Sequence, residues 1–322
     1  MIYISEKRLE ATSVDWIQNI NVIEECLACL DKEDFSQPIK PYLRYGDFNN
    51  RIIAMPAFVG GNINMCGIKW ISSFPDNLKH GIPRANCVVI LNNPKTGQPI
   101  GIINTAKISS IRTASVSGFV IRKYLDSRGK KRDLKIGIVG FGPIGQHHLS
   151  MCSLLIGPQL TKIFLFDING IDMESIPSRL RKRIEIVESW EQAYDDSDIF
   201  ITCTVSKERY IDREPKSGSL HLNVSLRDYS ASVFKWFEGA FVVDNWEEVC
   251  RENTDIEMFH LEKGLQRHEV KLIQKLDAQW IGSLADEQAI MFNPMGMAIF
   301  DIAISKYYLE KIKLENNSLV LD

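Results

Sequence analysis

The chain has 322 residues, 45% of them hydrophobic, which is enough to bury a large core and predicts two domains. Acidic and basic side chains are interspersed and the net charge is −3, which excludes the basic surface typical of nucleic-acid-binding or membrane-surface proteins. No apolar run approaches the roughly 18 residues of a membrane span, and the first residues do not resemble a signal peptide. We expect a cytoplasmic protein that binds neither nucleic acid nor a membrane.

The seven cysteines are an odd number and lie mostly in apolar stretches, which predicts reduced, buried thiols rather than disulfides. Cys26 and Cys29 form a C-x-x-C pair, but they lie on the apolar stripe of a predicted helix. Because no second ligand pair accompanies them in the sequence, we predict that the protein holds no metal.

The first part of the chain predicts an antiparallel sheet with a helix beside it. Apolar residues recur at helical spacing over residues 13–30, and a second helix is predicted over 107–125. The turn sequence PKTGQ predicts a hairpin at the end of the sheet. The predicted strands cover residues 51–60, 63–73, 86–93 and the segment PIGIINTA after that turn. The polar segment 126–133 is predicted to be a linker.

From residue 134 short apolar runs alternate with helical or polar stretches, which is typical of a doubly wound α/β domain with a parallel sheet. Six strands are predicted, with the sequences KIGIVG, KIFLFD, RIEIVE, IFITCTV, LHLNVSL and AFVVDN. The sheet is then expected to be complete. The later segment NPMGMAIFDIAISKYYLEKIKL predicts a long helix that packs on the first domain, with Asn293 as its N-cap and Pro294 in its first turn.

The predicted fold is therefore a Rossmann domain inserted into a discontinuous α+β domain. The Rossmann domain is expected to bind the cofactor, and the α+β domain to bind substrate and a second copy of the chain. The predicted boundaries are residues 126–289 for the Rossmann domain and residues 1–125 with 290–322 for the other domain.

Three glycines at G-x-G-x-x-G spacing follow the first strand of the Rossmann domain. Gly140 allows a tight strand-to-helix turn, Gly142 lets the backbone approach a pyrophosphate, and Gly145 lets the helix pack on the strand. Pro143 and Ile144 lie between them at the start of the helix, where backbone amides bind phosphate oxygens. The loop therefore predicts a dinucleotide cofactor.

Asp167 ends the next predicted strand and identifies the expected dinucleotide. Its carboxylate would accept hydrogen bonds from ribose hydroxyls and repel a 2′-phosphate, so NAD is expected rather than NADP. Thr202 and Thr204 end the fourth predicted strand. They are expected to line the cofactor cleft.

Four cations of the first domain lie in apolar or uncharged surroundings and are candidates for binding carboxylates: Lys40, Arg44, Lys69 and Arg112. Lys69 interrupts an apolar strand, where an unpaired lysine is costly. Arg112 lies among small residues and can hold a carboxylate bidentately. Asp228 follows the fifth strand of the Rossmann domain, at the sheet edge where ligands bind, and should face the cleft. The alternatives are ordinary surface cations and a turn or capping aspartate.

The stretches GIKW, SSIRTASVS, IGIVGFGPIG, LHLNVSLRD and NPMGMAIFD together resemble the ornithine cyclodeaminase/μ-crystallin family over nearly the whole chain. The resemblance implies a split substrate and dimerisation domain around a Rossmann domain. It implies that Arg44, Lys69 and Arg112 hold the α-carboxylate of the substrate. It also implies that Asp228 handles the substrate nitrogen or the water, and that Thr113 contacts the pyrophosphate.

Within that family, the chain is most similar to NAD-dependent dehydrogenases of 2,3-diaminopropionate biosynthesis, which serve siderophore and antibiotic pathways. The implied reaction converts N-(1-amino-1-carboxy-2-ethyl)-glutamate into 2,3-diaminopropionate, 2-oxoglutarate and NADH. The implied partners are a second copy of the chain and a PLP-dependent synthase that makes the substrate from O-phosphoserine and glutamate. Lys69 is not followed by the KYVNGHP-like segment of ornithine-cyclising members, which disfavours ring closure.

The spatial hypothesis is that the cations of the outer domain face Asp228 of the inserted domain across a nicotinamide ring. Asp228 is expected to take the proton of the substrate amine and to protonate the leaving amine, with Lys69 as the alternative base. The alternative functions are an amino-acid cyclodeaminase or ketimine reductase, and a non-catalytic binding protein of the μ-crystallin kind. His147 and His148 follow the glycine loop and are expected to pack rather than to catalyse.

Overall fold

A computed structural model of the chain describes residues 1–128, 133–314 and 319–320, with the last two described as backbone only. The chain forms two compact units. Unit 1 consists of Met1–Val116 and Gly296–Asp322, and unit 2 consists of Ser117–Met295. In the described residues, no helix is both long and apolar enough to cross a membrane.

The N-terminal part of unit 1 contains seven strands, two helices and the start of a third, longer helix. The predicted hairpin is present, with Gly97 at its turn in a left-handed conformation, φ +72°. The strands are β1 (Ile2–Ser5), β2 (Phe35–Ser36), β3 (Tyr42–Leu43), β4 (Arg51–Val59), β5 (Met65–Ser73), β6 (Ala85–Asn92) and β7 (Pro99–Asn104). The helices are α1 (Glu6–Ala11), α2 (Trp16–Asp31) and α3 (Lys107–Arg128).

The strands β4 to β7 pair antiparallel as predicted, and β1 adds a parallel strand beside β7. One row of neighbouring side chains across this sheet points to the interior. It contains Ile4, Ile103, Val89, Lys69 and Met55, each at most 4% exposed. Lys69 is the one charged member of this row, so the strand register alone carries its side chain into the core.

The opposite face of the same sheet carries a second row of apolar side chains. Ile68 pairs with Ile90, and Ile90 pairs with Ile102; all three are half-buried. Trp70 lies beside them on the same face and is 44% exposed. We call these four residues the outer apolar face. A continuous apolar surface of this kind on a sheet is typical of an interaction site.

Over its described residues, unit 2 is a doubly wound parallel sheet of eight strands, which confirms the predicted fold class and all six predicted strands. Its strands are β8 (Leu134–Val139), β9 (Leu160–Phe166), β10 (Ile184–Ile186), β11 (Ile199–Thr202), β12 (Leu220–Asn223), β13 (Phe241–Val243), β14 (Lys271–Leu272) and β15 (Ile290–Asn293). Its helices are α4 (Pro143–Leu155), α5 (Trp190–Tyr194), α6 (Phe234–Phe237), α7 (Trp246–Val249), α8 (Asp255–Lys263) and α9 (Ala278–Ser283).

The strand order in unit 2 is β10-β9-β8-β11-β12-β15-β13-β14, and every neighbouring pair is parallel. The chain winds outward in both directions from β8. Ligands of doubly wound sheets bind at the carboxyl ends of the strands where this reversal occurs. The glycine loop begins at that point, directly after β8.

Strand β15 corrects the prediction that the parallel sheet was complete before residue 290. It pairs with both β12 and β13, so it lies inside the sheet of unit 2. Asn293 is its last residue rather than a helix N-cap, and Pro294 lies in the link that follows. The last helix, α10 (Ala298–Leu314), begins only at Ala298. The apolar run over residues 289–292 is too short for its period to distinguish strand from helix.

Helix α10 packs on β4, β5 and β6 and on α2, so the C-terminal segment completes the core of unit 1. A short strand, β16 (Leu319–Val320), pairs antiparallel with β1.

The predicted linker 126–133 is wrong over its first three residues, because α3 continues to Arg128. Residues 129–132 of that linker lie outside the described residues. The guanidinium of Arg128 donates to the carbonyls of Gln288 and Ala285, which holds the helix end in unit 2.

Candidate functional site

The loop after β8 has the geometry that its glycines predict. Gly140 has φ +90°, and a Cβ placed on it would lie 2.6 Å from the Cys203 carbonyl oxygen. Its amide donates to the Phe166 carbonyl at 2.9 Å. A Cβ on Gly145 would overlap the Gly140 carbonyl oxygen. Gly140 and Gly145 are therefore required by the close approach of protein backbone.

Gly142 is different, because a Cβ placed there would meet open space. Gly142, Pro143 and Ile144 are exposed, and Gly142 is the N-cap of the 13-residue helix α4. A glycine cap has no side chain to cover the first amides of the helix. These amides and the positive end of the helix dipole form a site suited to a phosphate group.

Asp167 follows β9 and lies beside this loop. Its Oδ2 accepts from the amide of Phe141 at 2.7 Å, and its Oδ1 accepts from the amide of Asn169 at 2.9 Å. The carboxylate is half-buried, so it retains acceptor capacity on a partly open face. Asp167 thus fixes the glycine loop in place at the position where a ribose would be recognised.

His148 lies one turn into α4 and is fully buried. Its Nε2 lies 2.8 Å from Ser117 Oγ, and burial lowers the pKa of the imidazole to about 4. His147 is half-buried, with Nδ1 2.7 Å from the Pro143 carbonyl oxygen. Both contacts are those of packing or local hydrogen-bonding groups, as expected.

Asp228 follows β12 and is fully buried. Thr204 Oγ1 donates to Asp228 Oδ1 at 2.6 Å, and Ser225 Oγ contacts Asp228 Oδ2. Thr202 is also fully buried, and its Oγ1 lies 2.7 Å from Ser225 Oγ. Thr202 therefore supports the hydroxyls around Asp228 rather than reaching an open surface, while Thr204 is half-buried.

The loop that carries Asp228 is held by a second buried acid, Asp255. One oxygen of Asp255 accepts from the amides of Asp228 and Tyr229, each at 3.0 Å, and the other accepts from Arg209 Nε at 2.7 Å. Leu226 in the same loop has φ +68°, a conformation that costs a non-glycine residue about 1–2 kcal/mol. Backbone strain maintained by dense hydrogen bonding is typical of functional loops.

Burial raises the pKa of the Asp228 carboxyl, and the hydrogen bonds from Ser225 and Thr204 oppose that rise. Burial likewise raises the pKa of Asp255 to about 6, against the opposing effect of Arg209. A carboxyl whose proton affinity is increased is suited to general acid–base chemistry near neutral pH. The hydroxyls around Asp228 both donate and accept, so they can pass a proton to or from it.

The second candidate cluster lies in unit 1. Lys69 Nζ lies 2.8 Å from Asp301 Oδ1, and Arg112 Nε lies 3.0 Å from the same oxygen. The exposed fractions are 2% for Lys69, 6% for Arg112 and 0% for Asp301. Burial lowers the pKa of Lys69 to about 8, because desolvation outweighs the attraction of Asp301. The cluster keeps more positive than negative charge and suits an anionic ligand.

The other predicted residues of unit 1 lie in different surroundings. Lys40 is 3% exposed, and its Nζ donates to the Gly296 carbonyl at 2.9 Å. Gly296 also touches Arg112, since a Cβ on Gly296 would lie 2.9 Å from Arg112 Nη1. Arg44 is half-buried and its guanidinium lies over the Tyr42 ring. Thr113 Oγ1 donates to the Ser109 carbonyl at 2.8 Å.

Asp301, Asp255 and Ser225 were not predicted as site residues. Asp301 is the first acid in the apolar start of α10, and an acid in such a run is a signal that a buried cation lies near. Asp255 is the first residue of α8 and is indistinguishable in sequence from a helix-start acid. Across the described residues, no three metal-ligating side chains converge on one point.

Comparisons with known proteins agree with this architecture. The sequence profile of the ornithine cyclodeaminase/mu-crystallin family matches residues 5–316. N-((2S)-2-amino-2-carboxyethyl)-L-glutamate dehydrogenase from Staphylococcus aureus is 32% identical over 337 aligned positions, which cover 100% of this chain and 98% of that protein.

Two solved structures share the fold of the chain. The Delta(1)-pyrroline-2-carboxylate reductase of Thermococcus litoralis, solved with NADH and L-proline, is 24% identical with a TM-score of 0.87, and the match covers 100% of both chains. An archaeal alanine dehydrogenase dimer, solved with NAD, is 21% identical with a TM-score of 0.83 over 100% of this chain and 99% of that one.

Two substitutions test whether Gly140 and Gly142 have different roles in the glycine loop. Gly140→Ala should destabilise the protein by more than the about 1–2 kcal/mol of a left-handed alanine, because the new Cβ also meets the Cys203 carbonyl. Gly142→Ala should cost only about 1 kcal/mol or less, the usual difference at a helix N-cap, because its new Cβ meets open space. Urea denaturation of both variants measures the difference. Equal destabilisation would show that the loop geometry is wrong.

Proposed function

Because the chain belongs to the ornithine cyclodeaminase/mu-crystallin family, we propose that it is an NAD-dependent dehydrogenase acting on an amino-acid CH–NH group. The proposed substrate is N-((2S)-2-amino-2-carboxyethyl)-L-glutamate, and the products are 2,3-diaminopropionate, 2-oxoglutarate and NADH. The observation that carries this proposal is the full-length match, at 32% identity, to the dehydrogenase that is named for this compound.

The glycine loop and its neighbours fit NAD. We propose that the first amides of α4, together with Gly142, Pro143 and Ile144, hold the pyrophosphate, and that Asp167 accepts from the ribose hydroxyls. Thr113 and Thr204 are proposed as further contacts, with Gly140, Gly145 and Thr202 shaping the site. Bound NAD would accept the hydride that leaves the glutamate Cα.

The substrate carries three carboxylates, and we propose that the cations of unit 1 bind them. Lys69 and Arg112 share one acid, so together they keep a net positive charge in a buried site. Lys40 is also buried, and its ammonium donates to the Gly296 carbonyl. Arg44 is proposed as a fourth, more exposed contact. Buried cations attract carboxylates strongly because little water screens them.

Asp228 is proposed as the acid–base group. It takes the proton from the protonated bridging amine, so that the neutral nitrogen assists hydride departure from the glutamate Cα. A water molecule then adds to the resulting carbon–nitrogen double bond. Asp228 returns a proton to the nitrogen as the carbinolamine collapses to 2-oxoglutarate and the primary amine. Thr204 and Ser225 hold the carboxylate and can relay the proton.

We propose that the enzyme acts in the cytoplasm, after a PLP-dependent synthase that joins O-phosphoserine and glutamate, in the supply of a siderophore or antibiotic precursor. All seven cysteines are free thiols, which is typical of a reducing compartment. The two carboxylate-bearing halves of the substrate must be joined by a reaction that forms a carbon–nitrogen bond at a β-carbon. That replacement is PLP chemistry.

We also propose that two copies of the chain associate through the outer apolar face. Ile68, Ile90 and Ile102 lie in line across three strands, and Trp70 adds a large exposed ring. Aromatic and aliphatic side chains of this kind dominate the binding energy of dimer interfaces. A twofold axis would bring the same face of each copy together.

The role of Asp228 is tested with Asp228→Asn. NADH formation from NAD and the proposed substrate should fall by about 10²–10⁴-fold, because the amide cannot take up the amine proton. The affinity for NAD should be unchanged, and the exposed Asp212→Asn variant should behave like the wild type. Wild-type protein that forms no NADH in this mixture, or that instead consumes NADH with a cyclic imine, would overturn the proposal.

The role of Arg112 is tested with Arg112→Ala. The KM for the substrate should rise by about tenfold or more, because a hydrogen bond between charged groups contributes about 1.5–3 kcal/mol. The dissociation constant of NAD, measured by fluorescence titration, should stay the same. Lys107→Ala, in the first turn of the same helix, is the matched control. A loss of NAD affinity in Arg112→Ala would assign that arginine to the cofactor instead.

The proposed dimer is tested with Trp70→Glu. A buried, unpaired carboxylate at the interface should convert the dimer to a monomer in sedimentation velocity experiments. Leu261→Glu is the control, since Leu261 is 74% exposed in α8 of unit 2. A dimer that survives Trp70→Glu, or a wild type that is monomeric, contradicts the assigned interface.

A further inference from the structure

Asp301 is the acid around which the cations of unit 1 are arranged. It is fully buried in the first turn of α10, and a single oxygen, Oδ1, contacts both Lys69 and Arg112. The three residues come from β5, α3 and α10. Their side chains meet on the inner side of the sheet, beside Val89 and Met55 of the buried row. On this side of the sheet the strand neighbours of Lys69 are therefore apolar.

The cluster is held more firmly than an isolated ion pair. Lys69 Nζ also lies 3.4 Å from Ser109 Oγ, and the guanidinium of Arg112 is flanked by Gly296. Gly296 has φ +86°, and its missing Cβ leaves the space that Arg112 Nη1 fills. The side chains of Lys69 and Arg112 thus have fixed orientations, and Asp301 contacts both of them.

The second oxygen of Asp301 has a different environment. Among the described residues, Oδ2 is buried and has no hydrogen-bond donor. A purely structural ion pair normally uses both carboxylate oxygens, because an unsatisfied buried acceptor is costly. The unpaired oxygen indicates that Asp301 serves to orient two cations rather than to form hydrogen bonds through both of its oxygens.

We propose that Asp301 is a positioning residue of the substrate site, which fixes Lys69 and Arg112 in direction and keeps Lys69 protonated for binding a substrate carboxylate. This inference rests on the proposed function of the cluster in carboxylate binding. It goes further, because it assigns a role to a residue of the C-terminal segment that does not itself touch the substrate carboxylate.

The charged groups around Lys69 determine whether its pKa rises or falls when Asp301 is replaced. Burial and Arg112 lower the pKa of Lys69, Asp301 raises it, and the result is about 8. The Cys87 thiol on the neighbouring strand has a pKa raised to about 11 by burial, so it stays neutral near pH 8. Removing the Asp301 charge therefore lowers the pKa of Lys69 further. Lys69 would then lose its proton at a lower pH.

The test compares Asp301→Asn with Ser305→Ala. Ser305 lies one turn further along α10, is fully buried, and its hydroxyl is likewise without a hydrogen-bond partner among the described residues. In Asp301→Asn, the KM for the substrate should rise by about tenfold or more at pH 8 and recover in part at pH 6. The alkaline limb of the pH profile of 1/KM should move down by about one pH unit or more. Ser305→Ala should match the wild type.

A second readout does not depend on turnover. Lysine labelled with ¹³C at Cε reports the titration of Lys69 by NMR, assigned with Lys69→Arg, in the wild type and in Asp301→Asn. The Lys69 resonance should titrate at lower pH in the variant. If it does so while the wild type forms no NADH, the positioning role stands and the proposed function fails. An unchanged titration overturns the positioning role, whatever the activity.

If Asp301→Asn does not fold, Asp301→Glu is the variant to measure. It keeps the charge but moves it by one methylene group, so KM should rise while the alkaline limb stays near that of the wild type. If the acidic limb of kcat moves instead of the alkaline limb of 1/KM, Lys69 acts as the base and the proposal is wrong. Equal kinetic values in the Asp301 variants and Ser305→Ala also reject it.

Discussion

The shared contact of Lys69 and Arg112 with one oxygen of Asp301 is the interaction on which the proposed substrate chemistry depends. A lysine and an arginine stay charged in an apolar layer only if an acid faces them, because two adjacent cations without one would both repel each other and lack solvation. Asp301 lies in the segment that follows unit 2 in sequence. The cation cluster therefore forms only when both ends of the chain have joined in unit 1, which links completion of that fold to formation of the site.

Unit 2 likewise holds a buried acid, which we propose transfers protons. Asp228 is buried, and its carboxylate is surrounded by hydroxyls rather than by cations. Hydroxyls stabilise the anion less than a lysine or arginine would, so Asp228 keeps an increased proton affinity. Asp255 holds the backbone of the loop in its strained conformation. In the proposed mechanism these two buried acids have separate tasks: Asp228 exchanges protons, and Asp255 fixes its position.

The fold was largely predictable because its signals are local. Gly140, Gly142 and Gly145 predict the turn after β8, and continuous apolar runs predict the buried parallel strands. Strand β15 was missed because four apolar residues have no measurable period and because Asn-Pro follows them, which resembles a helix start.

The buried network was only partly predictable. Lys69 was found from its apolar strand, but its partner Asp301 lies more than 200 residues away in sequence, and no local pattern connects them.

In the proposed reaction, the enzyme removes hydride from the glutamate Cα of a tricarboxylic secondary amine and leaves the carbon–nitrogen bond to hydrolysis. The most direct measurement uses substrate carrying deuterium at that carbon, followed by mass spectrometry of the nucleotide and of the 2-oxoglutarate. The account predicts that each turnover transfers the deuterium to the reduced nucleotide and slows hydride removal by a primary isotope effect. Deuterium that is released to water, or that remains in the organic product, would contradict it.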